Sequence, residues 1–145
     1  MSSNFVPLTA LELVARINKI PRVNLAQLPT ALEFAPNISK ELNINLYIKR
    51  DDCTALAFGG NKTRHLEFIM AKILSGDYDC ILTGAASQSN FCRQAVAAAN
   101  KLNLDSYLVL MHGIKGRLMQ GNFLLYNILG ANVDVVEGED LEEIP

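Results

Sequence analysis

The chain has 145 residues, 50% hydrophobic and 19% charged, with a formal net charge of −2. That is a globular composition of a length that supports one main core, and it excludes a nucleic-acid binder working through bulk positive charge. The longest unbroken apolar runs, Ala95 to Ala99 and Tyr107 to Met111, fall far short of the roughly 20 residues needed to cross a bilayer.

The opening residues MSSNFVPLTA lack the basic and apolar stretches of a secretory signal, so none is expected. Cys53, Cys80 and Cys92 are odd in number and widely spaced. They suit a reducing, cytoplasmic setting better than a disulfide framework. With His65 and His112 as the only histidines, no zinc cluster is expected.

Residues 1–43 read as an arm of short helices, because Pro21, Pro29 and Pro36 interrupt any long one. Leu8 to Ile17 has helical apolar spacing, and a short helix starts at Pro36 and ends near Asn43. Residues 44–137 then alternate regularly. The segments Asn45 to Arg50, Asp79 to Thr83, Ser106 to Met111 and Asn132 to Val136 read as strands. Asn61 to Ser75, Ser89 to Asn103 and Leu118 to Leu129 read as helices, the first with Leu66, Ile69, Met70, Ile73 and Leu74 on one face. A β-α-β-α-β-α-β order with about 30 residues per unit predicts an α/β fold, an open parallel sheet with flanking helices. A strand as apolar as YLVLM suggests a sheet covered on both faces. Five of the 15 acidic residues stand in the last nine positions. Acids after a strand favour the first turn of a helix, so 138–145 reads as the acidic start of a truncated segment.

In open α/β sheets ligands gather beyond the carboxyl ends of the strands. Three loops lie there: Cys53 to Lys62, Gly84 to Asn90, and His112 to Gln120. Gly59-Gly60-Asn61-Lys62-Thr63 is not a P-loop, since it lacks the earlier glycine and the glycine before lysine, and neither G-x-G-x-x-G nor G-x-S-x-G occurs. Lys62 stands at a helix start, where a cation is disfavoured and an amine is available as base or Schiff-base former, although an exposed first-turn lysine has the same appearance. Ser87, Gln88, Ser89 and Asn90 begin the next helix, where hydroxyls, amides and free N–H groups hold a carboxylate or simply cap.

The segments LYIKRDDCTALAFGGNKTRHLEF, TGAASQSNFCRQAVAAANKL and LMQGNFLLYNILGANV, with Pro21-Arg22-Val23 and Leu28-Pro29-Thr30 upstream, strongly resemble the pyridoxal-phosphate enzymes of the 1-aminocyclopropane-1-carboxylate deaminase and D-cysteine desulfhydrase family. The resemblance covers nearly the whole chain in the family's order. It implies part of the fold type II (tryptophan synthase beta-like) architecture, with residues 1–43 belonging to a large domain and 44–137 forming the small one. The implied cofactor is pyridoxal 5′-phosphate. Lys62 matches the lysine that forms the internal aldimine and later acts as base, and the adjacent Asn61 helps to position it. Ser89 matches the active-site serine near substrate carboxylate and cofactor, and Asn90 the asparagine that hydrogen-bonds the cofactor's 3′ oxygen. Gln88, Ser89 and Asn90, with the N–H groups after them, complete a cradle for the substrate carboxylate.

Phe91 departs from the polar residue common in the family, and Cys92 reads as a packed thiol. Family members are considerably longer, and their phosphate loop, the partner of the pyridine nitrogen and the tyrosine that separates deaminase from desulfhydrase chemistry come later in the chain. Two readings follow. One is a deaminase or lyase of small amino acids, working as a homo-oligomer or with a second chain that carries the missing half. The other is an inactive remnant or interaction module of the same family. Neither nucleic acid nor membrane is an expected partner.

Overall fold

A computed structural model describes residues 7–111 and 118–136. Most of the expected loop from His112 to Gln120, and the acidic segment 138–145, lie outside them. In chain order the elements are α1 (Ala10–Ile17), β1 (Leu32–Phe34), α2 (Pro36–Leu42), β2 (Tyr47–Lys49), α3 (Lys62–Leu74), β3 (Cys80–Ala86), α4 (Asn90–Lys101), β4 (Asp105–Met111), α5 (Gly121–Ile128) and β5 (Asn132–Val136). Two 3-10 turns, Asp51–Cys53 and Leu56–Phe58, connect β2 to α3. No helix among the described residues is long and apolar enough to cross a membrane.

The expected α/β sheet is present as three parallel strands in the order β3-β4-β5, with Leu82 opposite Tyr107 and Tyr107 opposite Asn132. The helices α4 and α5 form the two crossovers. The first expected strand is placed differently: β2 does not join this sheet but pairs antiparallel with β1, with Phe34 opposite Tyr47 and Glu33 opposite Ile48. The physical reason is local. Pro36 starts α2 and Asn43, at φ 51°, ends it in the left-handed region, which turns the chain straight back along β1. The Phe34 and Tyr47 rings then pack 5.2 Å apart across the ribbon. The strand β1 itself, three residues long, carries no readable alternation.

The core is built around α4. Ala95, Ala98 and Ala99 are fully buried with Leu25, Leu66, Met70, Ile81 and Leu104, so their small side chains let α3 approach closely. On its other side Cys92 and Val96 pack with Leu108, Leu110, Phe123 and Tyr126. The expectation of two covered faces is not met. Along β4, Ser106, Leu108 and Leu110 are buried, whereas Tyr107 and Val109 are exposed. Consecutive right-handed crossovers in one direction place α4 and α5 on the same side. Leu82, Tyr107 and Val109 therefore line a bare face among the described residues. The helix α1, capped by Thr9 and Glu12, buries none of its residues.

A polar anchor ties the arm to α3. Asp51 accepts from the Arg64 guanidinium at 2.6 and 2.8 Å and from the Thr30 hydroxyl at 2.8 Å. The Arg64 hydrogen bonds, helped by Thr30, hold the Asp51 carboxyl down at about 2. A carboxyl depressed in the folded state stabilises above its unfolded pKa, and that stabilisation drains as pH falls from about 4 towards 2. Acid titration followed by circular dichroism is expected to show this loss, and Asp51→Asn is expected to remove that part of the pH dependence while lowering stability at neutral pH.

Candidate functional site

Two of the three loops marked by the sequence, Gly84 to Asn90 and Cys53 to Lys62, lie at the carboxyl end of the sheet and at the start of α3, and a part-buried polar network joins them. After β2 the chain turns sharply. Ala55, Ala57 and Phe58 hold φ values of 72°, 45° and 68°, and Gly59 and Gly60 follow at 75° and 134°. Left-handed backbone costs a non-glycine residue roughly 1–2 kcal/mol, so something must hold this loop. Thr54, fully buried, does so from one side: its hydroxyl accepts from the Gly60 N–H at 2.9 Å and lies 2.9 Å from the Gly60 carbonyl. From the other side Gln94 Nε2 and Arg93 Nη2 donate to the Gly59 carbonyl at 3.1 and 2.9 Å. The Thr63 hydroxyl donates to Gln94 Oε1 at 2.7 Å and closes the network.

The paired glycines are steric requirements. A Cβ on Gly59 would lie 1.9 Å from the Asp52 carbonyl oxygen, and one on Gly60 would lie 2.3 Å from Gln94 Nε2. Their role here is close approach of backbone to backbone and backbone to side chain, not the cradling of a phosphate.

Lys62 is the first residue of α3 and is half-buried. Among the described residues no hydrogen bond or ion pair holds its amine. Asn61 precedes it at the cap position, exposed and without a side-chain cap bond. The flanking Thr63 is fully buried and holds the backbone of Lys62 in place.

The strand β3 runs three residues beyond the expected Thr83, to Ala86, and leads directly into the second loop. The Ser87 N–H donates to the Met111 carbonyl at 2.8 Å and Ser89 N–H to Ala86 at 2.9 Å, which docks the loop against the end of β4. Ser89 caps α4, its hydroxyl accepting from Cys92 N–H at 3.3 Å, and its carbonyl accepts from the buried Tyr126 hydroxyl at 2.8 Å. Burial pushes the Tyr126 hydroxyl pKa up, so it remains a donor. The Gln88 side chain is engaged: its Oε1 accepts from Asn122 N–H at 2.9 Å and its Nε2 donates to the Gln120 carbonyl at 3.1 Å. Asn90 is exposed, with its Oδ1 accepting from Asn122 Nδ2 at 3.0 Å. The first N–H groups of α4 have no intrahelical acceptor and can take an anionic oxygen.

Cys92 is a packed thiol, as expected: it is fully buried and burial pushes its pKa up, which removes it as a nucleophile. His65 is exposed. His112 lies outside the described residues. Sequence reasoning missed Thr54, Arg93, Gln94, Asn122 and Tyr126. One signal existed. Gln94 is three residues after Phe91 and four before Ala98, on the apolar face of α4, where a polar side chain needs a buried partner.

Comparison with known proteins finds relatives over most of the chain. The family model described as pyridoxal-phosphate dependent enzyme matches residues 23–144. A putative 1-aminocyclopropane-1-carboxylate deaminase of Pyrococcus horikoshii is 40% identical over 134 residues, which is 92% of this chain and 40% of that one. A D-cysteine desulfhydrase of Klebsiella pneumoniae is 38% identical over 137 residues, 88% of this chain and 42% of that one. The crystal structure of a homologue of 1-aminocyclopropane-1-carboxylate deaminase superimposes with a TM-score of 0.80 at 39% identity, over 88% of this chain and 38% of that one. The chain thus spans about two fifths of the length of the relatives it matches.

Proposed function

The chain belongs to the pyridoxal-phosphate dependent enzyme family, and on that premise we propose that it supplies the lysine and carboxylate-binding half of a deaminase or lyase acting on small amino acids, of the 1-aminocyclopropane-1-carboxylate deaminase or D-cysteine desulfhydrase type. The observation that carries the proposal is the Lys62 amine, without a partner among the described residues, on a backbone locked by Thr63 and Gln94 and tied through Arg93 and Asn122 to the Gln88–Asn90 loop. The donor set fits pyridoxal 5′-phosphate: an amine free to bond the aldehyde, an amide free to donate to a ring oxygen, and helix N–H groups free to take a carboxylate.

When bound, the cofactor supplies an electron sink for the pair released at the substrate carbon. Lys62 would hold it covalently and, once released, take or return the proton at that carbon. Asn90 would donate to it through Nδ2, which has no partner among the described residues. Ser89 and the first N–H groups of α4 would hold the substrate carboxylate and orient the bond that breaks. Asn61 helps to aim Lys62. Gln88 contributes through its backbone and through the turn it fastens.

The division into an arm over 1–43, a small α/β domain over 44–137 and a further segment from 138 belongs to the same proposal, as does a cytoplasmic setting; β1 and β2 pair across the first boundary. A second copy or a second chain is proposed to complete the site and to cover the bare sheet face. That face also favours the second reading, an inactive interaction module, because Leu82 and Tyr107 are exposed in register.

Titration of the purified chain with pyridoxal phosphate, followed by borohydride reduction and peptide mapping, separates the two. Stoichiometric labelling confined to Lys62 is expected, and assays with D-cysteine and 1-aminocyclopropane-1-carboxylate then come next. Diffuse labelling over surface lysines would favour the inactive module.

A further inference from the structure

Asn122 is nine-tenths buried at the first turn of α5, and every polar atom of its side chain is used. Nδ2 donates to the Gln88 carbonyl at 2.8 Å and to Asn90 Oδ1 at 3.0 Å, while Oδ1 accepts from Arg93 Nη1 at 3.0 Å. The same arginine reaches Gly59 through Nη2 at 2.9 Å. Two side chains therefore bridge the loop that precedes Lys62 to the loop that carries Ser89 and Asn90. Gly121 lets the bridge close: it holds φ 55°, and a Cβ there would lie 2.6 Å from Gln88 Oε1. The bond to Asn90 also has a polarity. An amide oxygen that accepts from Asn122 leaves Asn90 Nδ2 as the group turned away from the brace.

We infer that Asn122 and Arg93 are positioning residues of the site: they fix the spacing of the Lys62 and Ser89 loops and set the Asn90 amide so that its N–H groups, and not its carbonyl, are presented to the cofactor. The inference about presentation rests on the pyridoxal-phosphate reading; the inference about spacing does not. Asn122 touches neither Lys62 nor any group proposed to react, so it acts only through the residues it holds. An aspartate in its place would still accept from Arg93 but could donate to neither Gln88 nor Asn90. Repulsion between two acceptor oxygens would then turn the Asn90 amide over.

Hydrogen exchange on the cofactor-free chain and cofactor loading are measured together on wild type, Asn122→Asp, Asn122→Ala and Arg93→Lys. In Asn122→Asp, faster amide exchange is expected in residues 59–63, on an element the substitution does not touch, by roughly threefold or more. After loading, its cofactor is expected to be retained roughly tenfold less tightly, with a shifted visible absorption maximum, while Arg93→Lys retains part of both effects. The isosteric aspartate keeps the test decisive if the alanine variant fails to fold. Wild-type exchange at 59–63 together with a wild-type spectrum in Asn122→Asp would overturn the inference. If wild type itself takes no cofactor at Lys62, the cofactor reading fails, and the exchange data alone uphold or overturn the spacing role.

Discussion

With Lys62 replaced by alanine, pyridoxal phosphate is expected to be trapped by borohydride only at the background level of surface lysines, and any turnover is expected to disappear. The loss of proton transfer alone accounts for about 10²–10⁴ in rate, and loss of the covalent hold on the cofactor comes in addition. The folded state is expected to be little changed. The amine has no partner among the described residues and the α3 start is held by Thr63 and Gln94, so the stability change should stay within about 0.5 kcal/mol. Lys62→Arg sharpens the result. It keeps the positive charge at the helix start but cannot be deprotonated, so it should fail as alanine does. Labelling of Lys62→Ala equal to wild type would refute the assignment outright. A variant that loses labelling and also melts early would show that the lysine is structural.

Glu67→Ala should produce the opposite pattern, a large loss of stability from a residue away from the reacting groups. Glu67 is 1% exposed on α3. Its Oε1 accepts from the N–H groups of Leu25 and Ala26 at 3.0 Å each, and its Oε2 is paired with Arg22, whose Nε lies 2.7 Å away. The arm's Leu25 is thereby seated in the core against Leu66 and Ala95. Alanine would strand the two N–H donors and unpair Arg22, whose side chain is 37% exposed and can turn to water. A buried donor left without an acceptor costs about 1–3 kcal/mol, so the two together are a sizeable fraction of the ~5–15 kcal/mol that holds an ordinary domain. Urea unfolding should show a markedly lower midpoint. Glu67→Gln retains an acceptor for the two amides and should lose less. A midpoint unchanged in both variants would mean that the arm is not held through this carboxylate.

Much of this fold was legible because apolar periodicity survives in the elements that make the core. Leu66, Met70 and Ile73 mark α3, Ala95, Ala98 and Ala99 mark α4, and the strand from Asn132 to Val136 has the predicted bounds. The sequence reading was weaker where pairing is non-local. Asn45 to Arg50 reads as a strand, but nothing in it says that its neighbour is the three-residue Leu32 to Phe34 rather than the parallel sheet. The bare face of β4 was hidden for a related reason: YLVLM is apolar throughout, so its burial depends on what covers it and not on its own alternation. In the site, Lys62, Ser89 and Asn90 stood out because their motifs are contiguous. Arg93 and Asn122 did not, since polar residues on helices usually face water and their partners lie 29 or more residues away in sequence. Left-handed Ala55 and Ala57 are unreadable in principle, because alanine carries no preference for that conformation.

The first two turns of α4 touch both loops of the site: Ser89 and Asn90 stand at its cap, and Arg93 and Gln94 one turn on grip Gly59. The helix therefore behaves as a chassis to which both loops are bolted. The serine loop is also pinned to the end of β4 through Ser87 and to α5 through Tyr126, so both loops are held at one fixed separation. The groups proposed to meet cofactor and substrate would then be spaced before either arrives.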